Sequence, residues 1–149
     1  MSFGEIVITE CNLQGATKPE DYAAFGLAYG MGYQRTITHK ILAKNGESTY
    51  GITIPFIQQL AELIDKRNAY YRAFPVVSFS TVTPNLISSA LGNLVERGQD
   101  LSPEIFYMEF ERIHPFIDGN GRVGHILWAM LTYYQTNSWP HSMPPKMFD

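Results

Sequence analysis

Apolar residues recur at helical spacing through most of the second half of the chain. Ile57, Leu60, Ala61 and Ile64 fall at i, i+3, i+4 and i+7, with Pro55 acceptable in a first helical turn. This spacing predicts a helix from Pro55 to about Arg72. Thr83-Pro84 has the composition of an N-cap and first helical residue, and Ile87, Ala90, Leu91, Leu94 and Val95 form the stripe behind it, with Gly98 as the stop. Ser102-Pro103 repeats the start signal before Phe106, Phe110 and Ile113. That helix should end near His114-Pro115, because the residue before a proline is pushed out of helical geometry. Val123, Ile126, Leu127, Met130, Leu131 and Tyr134 make the last stripe.

The first half reads less clearly. Residues 5–9, EIVIT, predict a short strand. Over 19–42, Tyr22, Phe25 and Tyr29 sit at helical spacing, but Gly26, Gly30 and Gly32 weaken the pattern. Asn45-Gly46 marks a turn. In FPVVSFSTVTP, residues 74–84, Val77 and Phe79 alternate with Ser78 and Ser80, which suits a short extended segment, or a core-facing strand. Residues 137–149 are proline-rich and expected to be irregular. The sum is a mainly helical single domain, 1–149, with a small β element.

Composition narrows the class. A chain of 149 residues with 45% hydrophobic and 17% charged residues folds as one globular domain. The net charge of −3 argues against a nucleic-acid partner. Cys11 is the single cysteine, so no internal disulfide forms, and a reducing compartment is the natural setting. The opening MSFGEIVITE lacks a basic leader and carries Glu5 within its apolar run. No apolar stretch approaches the ~20 residues that span a bilayer. The expectation is a cytoplasmic protein, or one delivered without a cleaved signal, with no membrane partner.

Candidate chemistry concentrates in HPFIDGNGRVGH, residues 114–125. Gly119 to Gly124 spell G-x-G-x-x-G, a dinucleotide-binding pattern, but the context refuses that reading. The preceding FERIHPFID looks like a helix end and a loop rather than a strand, and 25 residues after Gly124 are too few for the βαβ unit. No Gly-Lys-Ser/Thr follows, so it is not a Walker A loop. What remains is a glycine turn feeding a helix that begins at about Gly121. A helix N-terminus offers unpaired N–H groups and partial positive charge to an anion. Arg122 in its first turn offers a fork for phosphate oxygens. Asp118 beside it suits a magnesium ligand, and His114 before the loop suits a general base. His125 lies at i+3 from Arg122 and is expected on the same face, away from the apolar stripe. Base, metal ligand, anion site and clamp together suit nucleotidyl or phosphoryl transfer; the alternative is a plain helix–turn–helix connection.

The same segment resembles the signature of Fic-domain proteins, H-P-F-x-[DE]-G-N-G-R-x-x-R, with eight specified positions matching and only the last, His125, departing. The resemblance covers a core of about 55–136; residues 1–54 are an extension of unclear alignment. It implies a Fic-fold helical bundle with a small β-hairpin flap, placed at Val77, Ser78, Phe79 and Ser80, that pairs with an extended stretch of target protein. It implies an adenylyltransferase that moves AMP from ATP, with Mg2+, to a Ser, Thr or Tyr hydroxyl. By position, His114 would be the base, Phe116 a core anchor, and Asp118 the magnesium ligand on the polyphosphate. Gly119, Asn120 and Gly121 would form the anion hole, with the Asn120 side chain on phosphate, and Arg122 the clamp.

At position 125 the family has an arginine that contacts the γ-phosphate and pairs with an inhibitory glutamate. Histidine lacks the bidentate fork and is mostly neutral at pH 7 from its reference pKa of ~6.5. ATP binding should therefore be weaker, or the donor different, unless His125 is a capping or surface residue. The family's inhibitory motif, [ST]-x-x-x-E-[GN], is absent: no glutamate has Ser or Thr four residues before it. This implies no self-inhibition in cis, and restraint, where it exists, by a separate antitoxin-like chain. Two other readings compete. One is a catalytically weak Fic-fold binding protein. The other, a metal site of His114, Asp118 and His125, is poorly supported because ligand spacing is loose around a glycine loop.

Overall fold

A computed structural model describes residues 1–46, 51–76 and 82–145. Among them are six α-helices: α1 (Phe3–Leu13), α2 (Pro19–Lys44), α3 (Ile54–Ile64), α4 (Ile87–Arg97), α5 (Pro103–Ile113) and α6 (Asn120–Thr136). No strand occurs among the described residues. The expected flap residues Val77, Ser78, Phe79 and Ser80 lie outside them.

The centre of the bundle is α6, which is buried at every position from Asn120 to Leu131. It packs against α5 on one side and α2 on another, with α3 closing a third. A helix buried all round is the axis of a bundle rather than one of its outer staves. Leu91 and Leu94 of α4, Phe106 and Phe110 of α5 and Phe25 and Tyr29 of α2 fill the space around it.

Residues 5–9 are not a strand but the first half of α1. Their β-branched side chains suit either state, and the helix wins through its start and its packing. Ser2 accepts from the Glu5 N–H while the Glu5 carboxylate accepts from the Ser2 N–H, a reciprocal capping box. Helical winding then brings Ile6, Val7, Glu10 and Cys11 onto one buried face.

The glycines that obscured residues 19–42 sit inside one unbroken helix, α2. Gly32 shows why a poor helix former stands there: a Cβ at this position would come within 2.5 Å of Ile126 in α6. The helix axes meet too closely for any side chain, and the loss of propensity, about 1 kcal/mol, is offset by that contact.

Helix α3 ends at Ile64, well short of Arg72. Asp65 takes an extended backbone and its carboxylate accepts from the Arg67 N–H at 2.9 Å, opening a 3-10 turn, Lys66–Ala69. At Thr83-Pro84 the chain first makes a 3-10 turn, Pro84–Leu86, and α4 starts at Ile87, because the Thr83 hydroxyl engages Asn85 at 2.6 Å rather than capping backbone. Gly98 ends α4 as expected, in right-handed geometry that runs on into another 3-10 turn. Ser102 does cap α5, accepting from Ile105 N–H at 3.2 Å. The tail after α6 is irregular as far as it is described, yet anchored: Trp139 is buried and donates from its indole N–H to the Tyr29 hydroxyl at 2.9 Å.

Candidate active site

The site lies where α5 stops and α6 starts. His114 is the C-cap of α5, with φ 49° and ψ 61°, in the left-handed region. A non-glycine residue there costs roughly 1–2 kcal/mol. The turn is held by the His114 N–H donating to the Phe110 carbonyl at 3.0 Å and by the Arg72 N–H donating to the Pro115 carbonyl at 2.9 Å. The half-buried imidazole is held below its ordinary pKa, by burial first and then by the Arg72 charge, with the Glu111 carbonyl and Asp118 pulling the other way. The ring is therefore neutral at pH 7, the form in which a base can accept a proton.

Phe116 is 1% exposed and anchors the loop in the core beside Tyr71, as the resemblance implied. Asn120 folds back on it: the Phe116 N–H donates to Asn120 Oδ1 and Asn120 Nδ2 donates to the Phe116 carbonyl, both at 2.9 Å. One N–H of Nδ2 and the Oδ1 are thus committed to the loop. The backbone N–H groups of Asn120, Gly121 and Arg122 belong to the first turn of α6 and have no intrahelical acceptor.

Gly119 caps α6 with φ 81° and packs so tightly on Ile64 that a Cβ would come within 2.6 Å of it. Asp118 exposes about half its side chain (56%) while its Oδ1 accepts from the Gly119 N–H at 2.8 Å. Its Oδ2 stands 3.3 Å from Arg122 Nη2. The Arg122 side chain is only 4% exposed, and its Nε is buried without a hydrogen-bond partner. A buried guanidinium with donor capacity left over, behind a helix N-terminus, is an arrangement that an anion would complete.

His125 is placed differently from its sequence expectation. It shares a helix with Arg122 but is fully buried, ringed by Phe25, Tyr29 and Trp128 at centroid distances of 6.0, 5.6 and 5.9 Å. Because α6 is enclosed on every side, no face of its second turn is free of the bundle. Glu10 of α1, 3% exposed, puts Oε2 3.6 Å from His125 Nδ1. A glutamate thus does stand against position 125, although no motif announced it. The Gln14 amide, just past α1, lies over Gly121, where a Cβ would come within 2.6 Å of it, and donates to Glu10 Oε1 at 3.4 Å.

Three further residues organise the site and carried no local signal. Buried Asn68 donates to the Ala61 carbonyl at 3.0 Å and to the Asp118 carbonyl at 2.8 Å, fastening the loop to α3. Arg72, 2% exposed, donates to backbone carbonyls at the end of α5. Glu111 lies one turn before His114, its carboxyl pushed up to about 7 by burial and then by the nearby Glu10 charge. No group of three metal-ligating side chains occurs among the described residues. Among the described residues, no helix is long and apolar enough to cross a membrane.

No curated protein matches the chain. A solved structure described as a Fic domain containing signaling protein from Bacteroides thetaiotaomicron superposes with a TM-score of 0.65 at 20% identity. The match covers 90% of this chain and 62% of that one, so the chain spans less than two thirds of its neighbour's length. At that identity the likeness concerns the fold, a Fic-like helical bundle. The Fic/DOC family model matches residues 32–132, from the middle of α2 to the second half of α6, and encloses every motif residue described above. The chain belongs to the Fic/DOC family.

Proposed function

We propose that the chain is a Fic-type nucleotidyltransferase that moves AMP from ATP to a Ser, Thr or Tyr hydroxyl of a protein target. The observation that carries this reading is the pairing of a neutral, strained His114 with a left-handed glycine cap that opens α6 onto the buried, incompletely partnered Arg122. His114 takes the proton of the target hydroxyl. The hydroxyl oxygen bonds to the α-phosphorus as the bond to the β-phosphate bridging oxygen breaks, and pyrophosphate leaves. First-turn N–H groups of α6 and Arg122 stabilise the phosphate charge. Asp118 fits a magnesium ion, since its exposed carboxylate sits beside the polyphosphate position and is held only by one N–H and a 3.3 Å contact. When bound, the ion would neutralise polyphosphate charge. Val77, Ser78, Phe79 and Ser80 complete the proposal as the target-binding stretch, and an antitoxin-like chain as a partner.

A second reading has one observation in its favour. With His125 turned into the bundle beside Glu10, the far end of the polyphosphate lacks the family's second cationic clamp. That favours weak ATP binding or another donor. Parallel incubations with α-labelled and γ-labelled ATP, magnesium and a cell lysate separate the readings. Label on protein from the α position alone supports adenylylation. Label from γ means phosphorylation, and transfer only from another nucleotide moves the donor. No transfer by the folded protein overturns the enzyme reading.

A further inference from the structure

The strained backbone of His114 needs something that holds it, and Arg72, the largest fully buried side chain among the described residues, does so. Arg72 Nε donates to the His114 carbonyl and Nη2 to the Ile113 carbonyl at 3.1 Å, while the Arg72 N–H reaches the Pro115 carbonyl at 2.9 Å. The same guanidinium also reaches across to a second segment. Its Nη1 donates to the Phe74 carbonyl at 2.9 Å, and Nη2 donates to the Val82 carbonyl. Phe74 and Val82 are described residues that bracket, in sequence, the stretch assigned above to target binding. A guanidinium presents five donors in a rigid plane, so one side chain can serve both sets of carbonyls at fixed relative positions.

We propose that Arg72 is a positioning residue that joins the backbone of His114 to the Phe74 and Val82 carbonyls. It thereby fixes the backbone of the base relative to Phe74 and Val82, from which the proposed target-binding stretch departs and to which it returns. The inference rests on the reading of His114 as base and of residues 77–80 as target-binding. The Arg72 charge acts in the same sense, since it helps to keep the imidazole neutral. A lysine has one donor centre and cannot span both sets.

The test uses the full chain as wild type, Arg72→Lys and Arg72→Gln. Hydrogen–deuterium exchange is followed in peptides covering 70–83 and 111–118, with α2 and α4 as references. Exchange should rise about tenfold in both site peptides of Arg72→Gln while the references stay unchanged. Loosening of one site peptide alone, of neither, or of the whole chain overturns the proposal. Where Arg72→Gln does not fold, Arg72→Lys is read by the same criteria, and loss of the fold in both variants also overturns it.

Steady-state transfer supplies the second arm. The kcat should fall about 100-fold in Arg72→Gln, with the KM for ATP within about twofold of wild type. A parallel loss in both constants marks a general structural role and overturns the inference. A wild-type protein that transfers nothing sinks the proposed function instead, and the exchange result still decides whether Arg72 couples the two segments.

Discussion

His114 and His125 close the two ends of one motif stretch, and the fold treats them in opposite ways. His114 sits just past the end of α5, half-buried, with its backbone forced left-handed and its imidazole held neutral. His125 sits in the second turn of α6, fully buried among three aromatic rings and facing Glu10. The difference lies in which parts of a buried helix can meet a ligand. The first turn of an axial helix such as α6 carries N–H groups with no intrahelical acceptor, so it can hold an anion, while its second turn meets only the bundle. Equal spacing along a motif therefore does not mean equal access.

The largest expected effect tests the first half of that contrast. His114→Ala should lower transfer by ~10²–10⁴-fold while ATP affinity is retained. Activity that survives the substitution would remove His114 from the mechanism. The pH profile gives the same contrast without a mutation. Since the His114 pKa is lowered, the neutral base persists below the ordinary value of 6.5. The acid limb of kcat should therefore fall below pH 6.5, and a midpoint above 6.5 would contradict the surroundings described for the ring.

Arg122→Ala comes next, since it removes the buried cation behind the α6 N-terminus. Nucleotide affinity should weaken about 10–100-fold by calorimetry, in line with loss of a charge-assisted contact. An unchanged affinity would mean that the backbone N–H groups alone hold the phosphates.

Glu111 bears on stability between the two histidines. Its folded pKa, about 7, lies above the ordinary value of 4.5, so the folded state keeps a proton that the unfolded chain releases. Its stabilising contribution is full below pH 4.5 and is lost as pH rises through about 7. Glu111→Gln should stabilise the protein at pH 8 by on the order of 2 kcal/mol relative to wild type, and by much less at pH 4. Denaturant melts at both values check the sign.

The smallest effect concerns His125. Alone, His125→Arg should leave ATP affinity nearly unchanged, because Glu10 would take the guanidinium in a buried ion pair. With Glu10→Ala added, affinity should tighten by roughly tenfold. A full gain from the single change would show that Glu10 does not restrain position 125.

The main stripes of α3, α4, α5 and α6, the start at Ser102, and the order of groups from His114 to Arg122 were readable in the sequence, and the start of α6 was read within about one residue, at Gly121 rather than Asn120. They depend on neighbours within a few residues: helical spacing, caps, a proline after His114, glycines at a turn. Placement of the site against the rest of the bundle was not. Residues 5–9 suited a strand until Ile6, Val7 and Cys11 were seen to face α2, and Gly32 argued against a helix until Ile126 was seen beneath it. Asn68, Arg72 and Glu10 reach the site from 50, 42 and 115 residues away, through hydrogen bonds and burial that no local pattern records. The sequence by itself determined which chemical groups stand together and in what order. The tertiary structure alone decided that His114 is strained and held while His125 is shut in, because burial and charge are properties of the packed surroundings.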